Sequence, residues 1–306
     1  MRQRPGLRLP GLLCLLVFLG FVFLGGPAAA AIELPQSDGS VLTLDAPAGR
    51  VITLAPSLAE IAYAAGAGAA LVATVEFSDY PAEAGRLPRI GDAFRFDLER
   101  ILALKPDLVM AWTSGNPAQA VQKLEALGLK VWRTELRRPE DIAALLRHTA
   151  RATGVADNGA AAQLESRLAA LALPYQGLPP VRYFYQVAER PLFTLNGAHI
   201  VSQGLSRCGA VNVFADEPVL APQISREAVL AADPDVLLAP RLDDDDEPLA
   251  QWLEWPHMAA VKNGALVYLS ADRISRATPR MLDSLESACK LLHQFRHPGN
   301  RSGEQP

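Results

Sequence analysis

The side chains that could carry chemistry in this chain are few: five histidines, three cysteines and a pair of glutamates set in a repeated phrase. Of His148, His199, His257, His293 and His297, none belongs to a His-Glu-x-x-His motif, and the one pair at His-x-x-x-His spacing, His293 and His297, has its second member past the end of the expected helix 279–294. A helix-borne zinc site therefore has no support, and no metal is expected. His148 and His293 fall on predicted helices as surface or core residues. His257 follows Trp252, Trp255 and Pro256 and could line a cleft. Neither a Gly-x-Ser-x-Gly nucleophile elbow nor a Gly-x-x-x-x-Gly-Lys-Ser/Thr phosphate loop occurs. Gly66-Ala-Gly68 starts like a dinucleotide fingerprint, but the third glycine is missing, and after an alanine-rich helix the pair reads as a C-cap. No catalytic residue and no resident cofactor follow from these patterns.

The glutamates differ, because the chain says the same thing twice. Leu-Glu-Arg-Ile-Leu-Ala-Leu-Lys-Pro-Asp-Leu-Val-Met-Ala runs over residues 98–111, and Arg-Glu-Ala-Val-Leu-Ala-Ala-Asp-Pro-Asp-Val-Leu-Leu-Ala over residues 226–239. One offset of 128 residues, that from Glu99 to Glu227, also carries Pro106 onto Pro234 and Asp107 onto Asp235. Each copy reads as an amphipathic helix, a Pro-Asp break and a strand-length apolar run, since proline ends the helix. Two similar α/β lobes, each presenting a glutamate at one helix start, imply a cleft between them and a partner that reads both.

The elements that must position these groups begin after an export signal. Arg2, Arg4 and Arg8 precede the apolar run 12–24, and residues 25–31 are small and alanine-rich, so residues 1–31 read as a cleavable signal peptide. An uncleaved anchor is the competing reading, but the apolar run is short for a span of about 20 residues. About 275 residues remain, enough for two domains. A net charge of -4 gives no basic excess to neutralise phosphates, so no nucleic-acid partner is expected. With no second membrane-length run, a soluble periplasmic protein is the expectation for a Gram-negative source. Two cysteines outlast processing, Cys208 and Cys289. In an oxidising compartment a lone pair points to a bridge, worth roughly 4–5 kcal/mol on the chain-entropy account, with two buried free thiols as the other reading.

The first lobe, residues 32–153, alternates strand and helix. Strands are expected at 51–54, 71–75, 108–112 and 131–134. Helices are expected at 57–65, with Ser57 as N-cap and Glu60 in its capping box, and at 98–104 and 117–127. Residues 139–153 and 157–173 form a helical pattern with no proline after Pro139 at its start, and with Ala161, Leu164, Leu168 and Leu171 on one stripe. A linking helix over 154–176 would join the lobes stiffly. The second lobe, residues 177–297, repeats the plan with strands at 181–187, 235–239 and 266–269 and helices at 198–207 and 279–294. The tail 298–306 is expected to be disordered, and the acidic run 243–247 a solvated loop.

These residues carry a resemblance. Residues 50–57 (Arg-Val-Ile-Thr-Leu-Ala-Pro-Ser), Ser-Asp-Tyr-Pro at 78–81, residues 98–109, Ser225-Arg-Glu227 and Arg276-Ala-Thr-Pro-Arg280 are similar to the periplasmic cobalamin-binding proteins of vitamin B12 ABC importers. The similarity covers nearly all of the mature chain. It implies two Rossmann-like lobes joined by a single long helix, with a corrinoid ligand held between them. It also implies delivery to the dimeric permease of an ABC importer, by a monomer and without enzymatic activity. Glu99 and Glu227 match the family's permease-docking glutamates, and Cys208 and Cys289 its disulfide. Phe77, Phe94, Trp112 and Phe193 match or adjoin the aromatic ligand contacts, and Asp272, Arg273, Ile274, Ser275 and Arg276 the ligand loop of the second lobe. An apolar macrocycle fringed with amides suits flat apolar surfaces and a few donors. Two positions depart from the pattern: Ala93 and Ala221 stand where tryptophans are expected. Losing two indole faces costs about a few kcal/mol unless Phe94, Phe96, Trp252 or Trp255 replaces them. The alternative within the same fold is a ferric-siderophore or haem carrier, for which Arg95, Arg273 and Arg276 are the candidate basic groups.

Overall fold

The computed structural model describes residues 31–296. The proposed signal peptide, apart from Ala31, and the tail 298–306 lie outside the described residues. In chain order the first lobe contains β1 (Ile32–Pro35), β2 (Val41–Leu44), β3 (Val51–Thr53), α1 (Pro56–Ala64), β4 (Leu71–Ala73), α2 (Leu98–Ala103), β5 (Leu108–Trp112), α3 (Ala118–Ala126) and β6 (Val131–Thr134). Then come α4 (Pro139–Thr153) and α5 (Ala160–Ala172). The second lobe contains β7 (Val181–Tyr185), β8 (Ala188–Glu189), β9 (Leu192–Phe193), α6 (Ile200–Ser206), β10 (Ala210–Asn212), α7 (Arg226–Ala232), β11 (Val236–Arg241), α8 (Ala259–Lys262), β12 (Leu266–Ser270), α9 (Ala271–Ile274) and α10 (Met281–Gln294).

Each lobe is built on a four-stranded parallel sheet, in the orders β4-β3-β5-β6 and β10-β7-β11-β12. The two orders correspond strand for strand, so the sequence repeat is a repeat of fold. Residues 108–111 are all buried, as a strand covered by helices on both faces requires. The order of each sheet reverses direction beside its first strand, and at such a switch point the loops leaving the strands part and open a crevice.

The connector differs in detail from a single helix. Gly154, at φ 70°, ends α4 in a left-handed cap, and α5 starts only at Ala160. The glycine supplies a positive φ that other residues adopt at a cost. α5 runs on into a 3-10 turn at Leu173–Tyr175 and is the long helix that carries the chain between lobes, with α4 packed along it. Its buried face is Ala161, Leu164, Leu168 and Leu171, the expected stripe. Arg167 of α5 pairs with Asp283 and Glu286 of α10, and Glu140 of α4 pairs with Arg207 beyond α6. One continuous cluster of buried side chains runs from Leu34 and Val51 through both helices to Leu285 and Leu292. The lobes share an interior, which limits how far they can part.

Cys208 and Cys289 are bridged, with Cα atoms 5.7 Å apart, and join the end of α6 to the middle of α10. Other expectations are corrected. α1 begins at Pro56 with Ala55 as N-cap and no side-chain cap, so Ser57 is not the cap and Glu60 is not in a capping box. Trp252 is fully buried against Phe184, with its indole N–H donated to Gln186, and it offers no face to a ligand. Trp255 and His257 border a different surface hollow, with Leu230 and Asp233, rather than the cleft between lobes.

Candidate functional site

The crevice between the lobes encloses about 380 Å³. The first lobe lines it with the start of α1 (Ala55 to Leu58), Phe77, Trp112, Ser114 and residues 134–136, all at the C-terminal ends of β3, β4, β5 and β6 or in the loops beyond them. The second lobe contributes His199, Ile200, Leu220, residues 274–277 and Met281. The wall is mostly apolar with a few polar groups, the composition of a small-molecule site.

Two exposed aromatics stand on the first lobe's wall. Trp112 ends β5 and is 39% exposed, and Phe77 is 75% exposed. Phe77 has φ 64°, a left-handed conformation that a bulky side chain adopts only where its surroundings impose it. Trp112 is held from behind. Its backbone N–H donates to Asn116 Oδ1 at 2.7 Å, and the Asn116 amide donates to the carbonyls of Leu54 and Ala93 at 2.8 and 2.9 Å. Gly115 lets the indole lie flat on the turn, because a Cβ there would come within 1.9 Å of the ring. Glu135, also in the wall, accepts from the N–H and the hydroxyl of Ser114 and pairs with Arg137.

His199 is the imidazole in the wall. Its Nδ1 accepts the Val201 N–H at 3.2 Å and so caps α6. Burial, reinforced by the charge of Arg137, lowers its pKa from the ordinary 6.5 to about 4. The ring is therefore neutral at physiological pH, and with Nδ1 acting as acceptor its proton sits on Nε2.

Behind the cleft a polar clasp joins the lobes. Glu60, 2% exposed inside α1, accepts from the Thr278 hydroxyl at 2.6 Å and from Arg280 Nε and Nη2 at 2.7 Å each. Arg280 also donates to Asp272 at 2.6 Å and lies 3.7 Å over the Tyr80 ring. Arg276 pairs with Asp79 at 2.8 Å and with Asp272 at 3.0 Å. Burial works against the charged form of Asp79, but the hydrogen bond and charge of Arg276 outweigh it and hold the carboxyl below its usual range.

Of the expected ligand residues, the structure brings Phe77, Trp112, Ile274, Ser275 and Arg276 into the lining of one crevice. Arg276 reaches it with its guanidinium already engaged by two carboxylates. Asp272 sits in the clasp and Arg273 is exposed beside it, both outside the lining. Phe94 is 67% exposed in the turn that Asn116 ties down through Ala93, and Phe193 ends β9 at a bridge to Gln223. Neither lines the enclosed space. Phe96 is partly buried against the first lobe's second core, and Ala221 is exposed beside the wall residue Leu220. Sequence reasoning did not reach His199 as a wall residue, nor Glu60, Asp79, Tyr80 and Arg280 as a clasp. The available signal was a lone carboxylate within the apolar run 58–64.

Glu99 and Glu227 are exposed in the first turns of α2 and α7. The Glu227 carboxyl lies below its usual range because its own backbone N–H, and then the Ser225 hydroxyl, bind the charged form.

Comparison with known proteins agrees with this architecture. A family model described as periplasmic binding protein matches residues 51–272. The vitamin B12-binding protein of Vibrio cholerae serotype O1 is 39% identical over 259 residues, covering 83% of this chain and 92% of that protein. Its counterpart from Yersinia pestis is 37% identical over 276 residues, covering 89% and 95%. The crystal structure of the periplasmic vitamin B12 binding protein BtuF of Vibrio cholerae superposes with a TM-score of 0.74 at 37% identity, covering 81% of this chain and 98% of that one. The haem-binding protein BhuT, at 24% identity and a TM-score of 0.67 over 82% of this chain and all of its own, shares the fold. The chain belongs to the periplasmic binding protein family and, within it, to the vitamin B12-binding proteins of ABC importers.

Proposed function

We propose that this protein captures cobalamin or a related corrinoid in the periplasm, holds it between the two lobes and delivers it to the permease of an ABC importer. The observation that carries the ligand assignment is the pair of aromatic faces, Phe77 and Trp112, standing on one wall of an otherwise apolar crevice. A corrin ring offers flat apolar surface to such faces, and its amide fringe takes hydrogen bonds from a few fixed groups. The Nε2–H of His199 and the hydroxyls of Ser57 and Ser275 are the donors at hand. An enclosed volume of 380 Å³ grips only part of so large a ligand, so the rest extends into the open mouth. Phe94, in the turn tied to Trp112 through Asn116, then stands where it can meet the protruding part in place of the tryptophan absent at Ala93.

A haem or ferric-siderophore reading fits the wall less well. Arg276, the cation in the lining, is committed to Asp79 and Asp272, which leaves no free positive charge there for propionates or catecholates. The role falls to binding and release, with no chemical step. Glu99 and Glu227, exposed and one to a lobe, are the groups we assign to permease docking.

Calorimetric titration with cyanocobalamin, cobinamide and haemin tests the assignment. One-to-one binding of cyanocobalamin, weakened in W112A, is the expected result. Binding of cobinamide alone would narrow the ligand to an incomplete corrinoid. Binding of haemin in preference to both would overturn the reading.

A further inference from the structure

The repeated phrase contains more than the glutamates, and its remaining parts form the same construction in both lobes. Asp97 caps α2 by accepting the Arg100 N–H at 2.9 Å, and Ser225, at the same offset, caps α7 by accepting the Ala228 N–H at 3.2 Å. After each helix one residue turns left-handed, Lys105 at φ 46° and Asp233 at φ 41°, immediately before the repeated proline. The aspartate that follows reaches back to the strand before α1 or to its counterpart in the second lobe. Asp107 Oδ2 accepts the N–H groups of Gly49 and Arg50 at 2.9 and 2.8 Å, and Asp235 Oδ2 accepts that of Arg182 at 2.8 Å. The arginine there closes the loop. Arg50 donates Nη2 to the Leu104 carbonyl at 2.6 Å and Nε to those of Leu104 and Lys105 at 3.0 and 3.2 Å. Arg182 donates Nη2 to the Ala232 carbonyl at 2.6 Å and Nη1 to that of Asp233 at 3.0 Å. The offset of 128 carries Leu104 onto Ala232 and Lys105 onto Asp233, so the two guanidinium groups grip corresponding carbonyls.

We propose that Arg50 and Arg182 are positioning residues for docking: each pins the C-terminal end of the short helix whose first turn presents Glu99 or Glu227, and together they set the spacing and tilt of the two carboxylates. α2 spans six residues and α7 seven, too short to hold their own geometry. Their last carbonyls lack intrahelical partners, and a guanidinium both satisfies them and complements the negative end of the helix dipole. The Leu104 carbonyl that Arg50 anchors lies only about 8 Å from Glu99 along the axis at 1.5 Å per residue, so loosening the anchor moves the carboxylate directly. The consequence is large when two contacts must be made at once. Two linked contacts reinforce each other only while the geometry permits simultaneous engagement. The same clamp in both lobes is what a rigid, two-fold partner requires.

The proposal rests on the assignment of Glu99 and Glu227 to docking, and a double-mutant cycle separates the two claims. The full chain, exported, processed and loaded with cyanocobalamin, is titrated onto its permease–ATPase complex in lipid nanodiscs. The variants are R50Q, R182Q, E99A, E227A and their pairs. We expect R50Q and R182Q each to weaken permease binding on the order of fivefold while cyanocobalamin affinity stays unchanged. R50Q should add nothing once Glu99 is gone, and R182Q nothing once Glu227 is gone, whereas the cross-lobe pair R50Q with E227A should multiply the two losses. A general loss of stability would not produce that pattern. R50K and R182K, which keep the charge and one grip on the carbonyls, should fall between wild type and Gln, and they serve if the Gln variants fail to fold. Wild-type permease affinity in the arginine variants, or a loss that persists undiminished beside E99A, would overturn the proposal. Wild-type affinity in E99A and E227A themselves would instead remove the docking assignment, and the proposal with it.

Discussion

The repeat helices of the two lobes match, and the faces that line the cleft do not. α2 and α7 carry a glutamate at the same repeat position, the same N-cap position and the same arginine clamp. Across the cleft the first lobe supplies the aromatic faces Phe77 and Trp112, while the second supplies His199, Leu220 and the 274–277 loop. The seam is equally one-sided: carboxylates Glu60 and Asp79 come from the first lobe, and arginines 276 and 280 from the second. The difference shows what each surface has to recognise. A partner built from two like subunits favours keeping the repeat helices alike, whereas an asymmetric ligand favours letting the cleft faces diverge.

Breaking the seam should have the largest effect. R280M leaves the Glu60 carboxylate buried without its cation, which costs about 3–5 kcal/mol, and the double change E60Q/R280M should recover most of it. Scanning calorimetry checks this, and a single variant losing under about 1 kcal/mol would show that the clasp is incidental. Next comes acid. With a folded pKa of about 4 against 6.5 for a free imidazole, the unfolded chain holds the extra proton on His199 between those values. Stability is therefore complete above pH 6.5 and falls as the pH drops toward 4, by up to about 3 kcal/mol. H199N keeps an N-cap side chain and should flatten that part of the profile, leaving a contribution from His148, whose pKa burial also lowers. Urea melts from pH 7 to pH 4 measure both proteins. An unchanged slope in H199N would show that the imidazole titrates normally.

Smaller effects fall on the cleft and the repeat helices. W112A should weaken cyanocobalamin binding by on the order of 2 kcal/mol, roughly thirtyfold. G115A should produce part of the same loss by displacing the ring without removing it, as its tryptophan fluorescence would report. E99A and E227A should each leave ligand affinity within about twofold and stability within about 0.5 kcal/mol, and should impair handover equally. Unequal impairment would break the comparison of the two repeat helices.

What could be read from the sequence was what local pattern encodes. The run 108–112 declares a strand buried on both faces, and the Pro-Asp repeat declares two equivalent helix ends. The cysteines implied their own pairing once the export signal set the compartment. The clasp could not be read this way. Glu60 meets Arg280 across 220 residues of chain, and a carboxylate in a first helical turn is indistinguishable locally from a capping residue. The same blindness placed Trp252 and His257 near the ligand. A tryptophan can as well satisfy its N–H inside the core, as Trp252 does through Gln186, and only the packing of the second lobe decides between the two. The hairpin of β1 and β2 left no signal because four-residue strands carry too little alternation to register.

The central claim is that one protein performs capture and handover with separate surfaces. Uptake of radiolabelled cyanocobalamin into vesicles bearing the permease, driven by this protein or by E99A/E227A, tests it most directly. The account predicts that both bind the ligand with equal affinity and that only the wild-type protein drives uptake. Uptake that survives the double substitution, or ligand affinity that falls with it, would contradict the account.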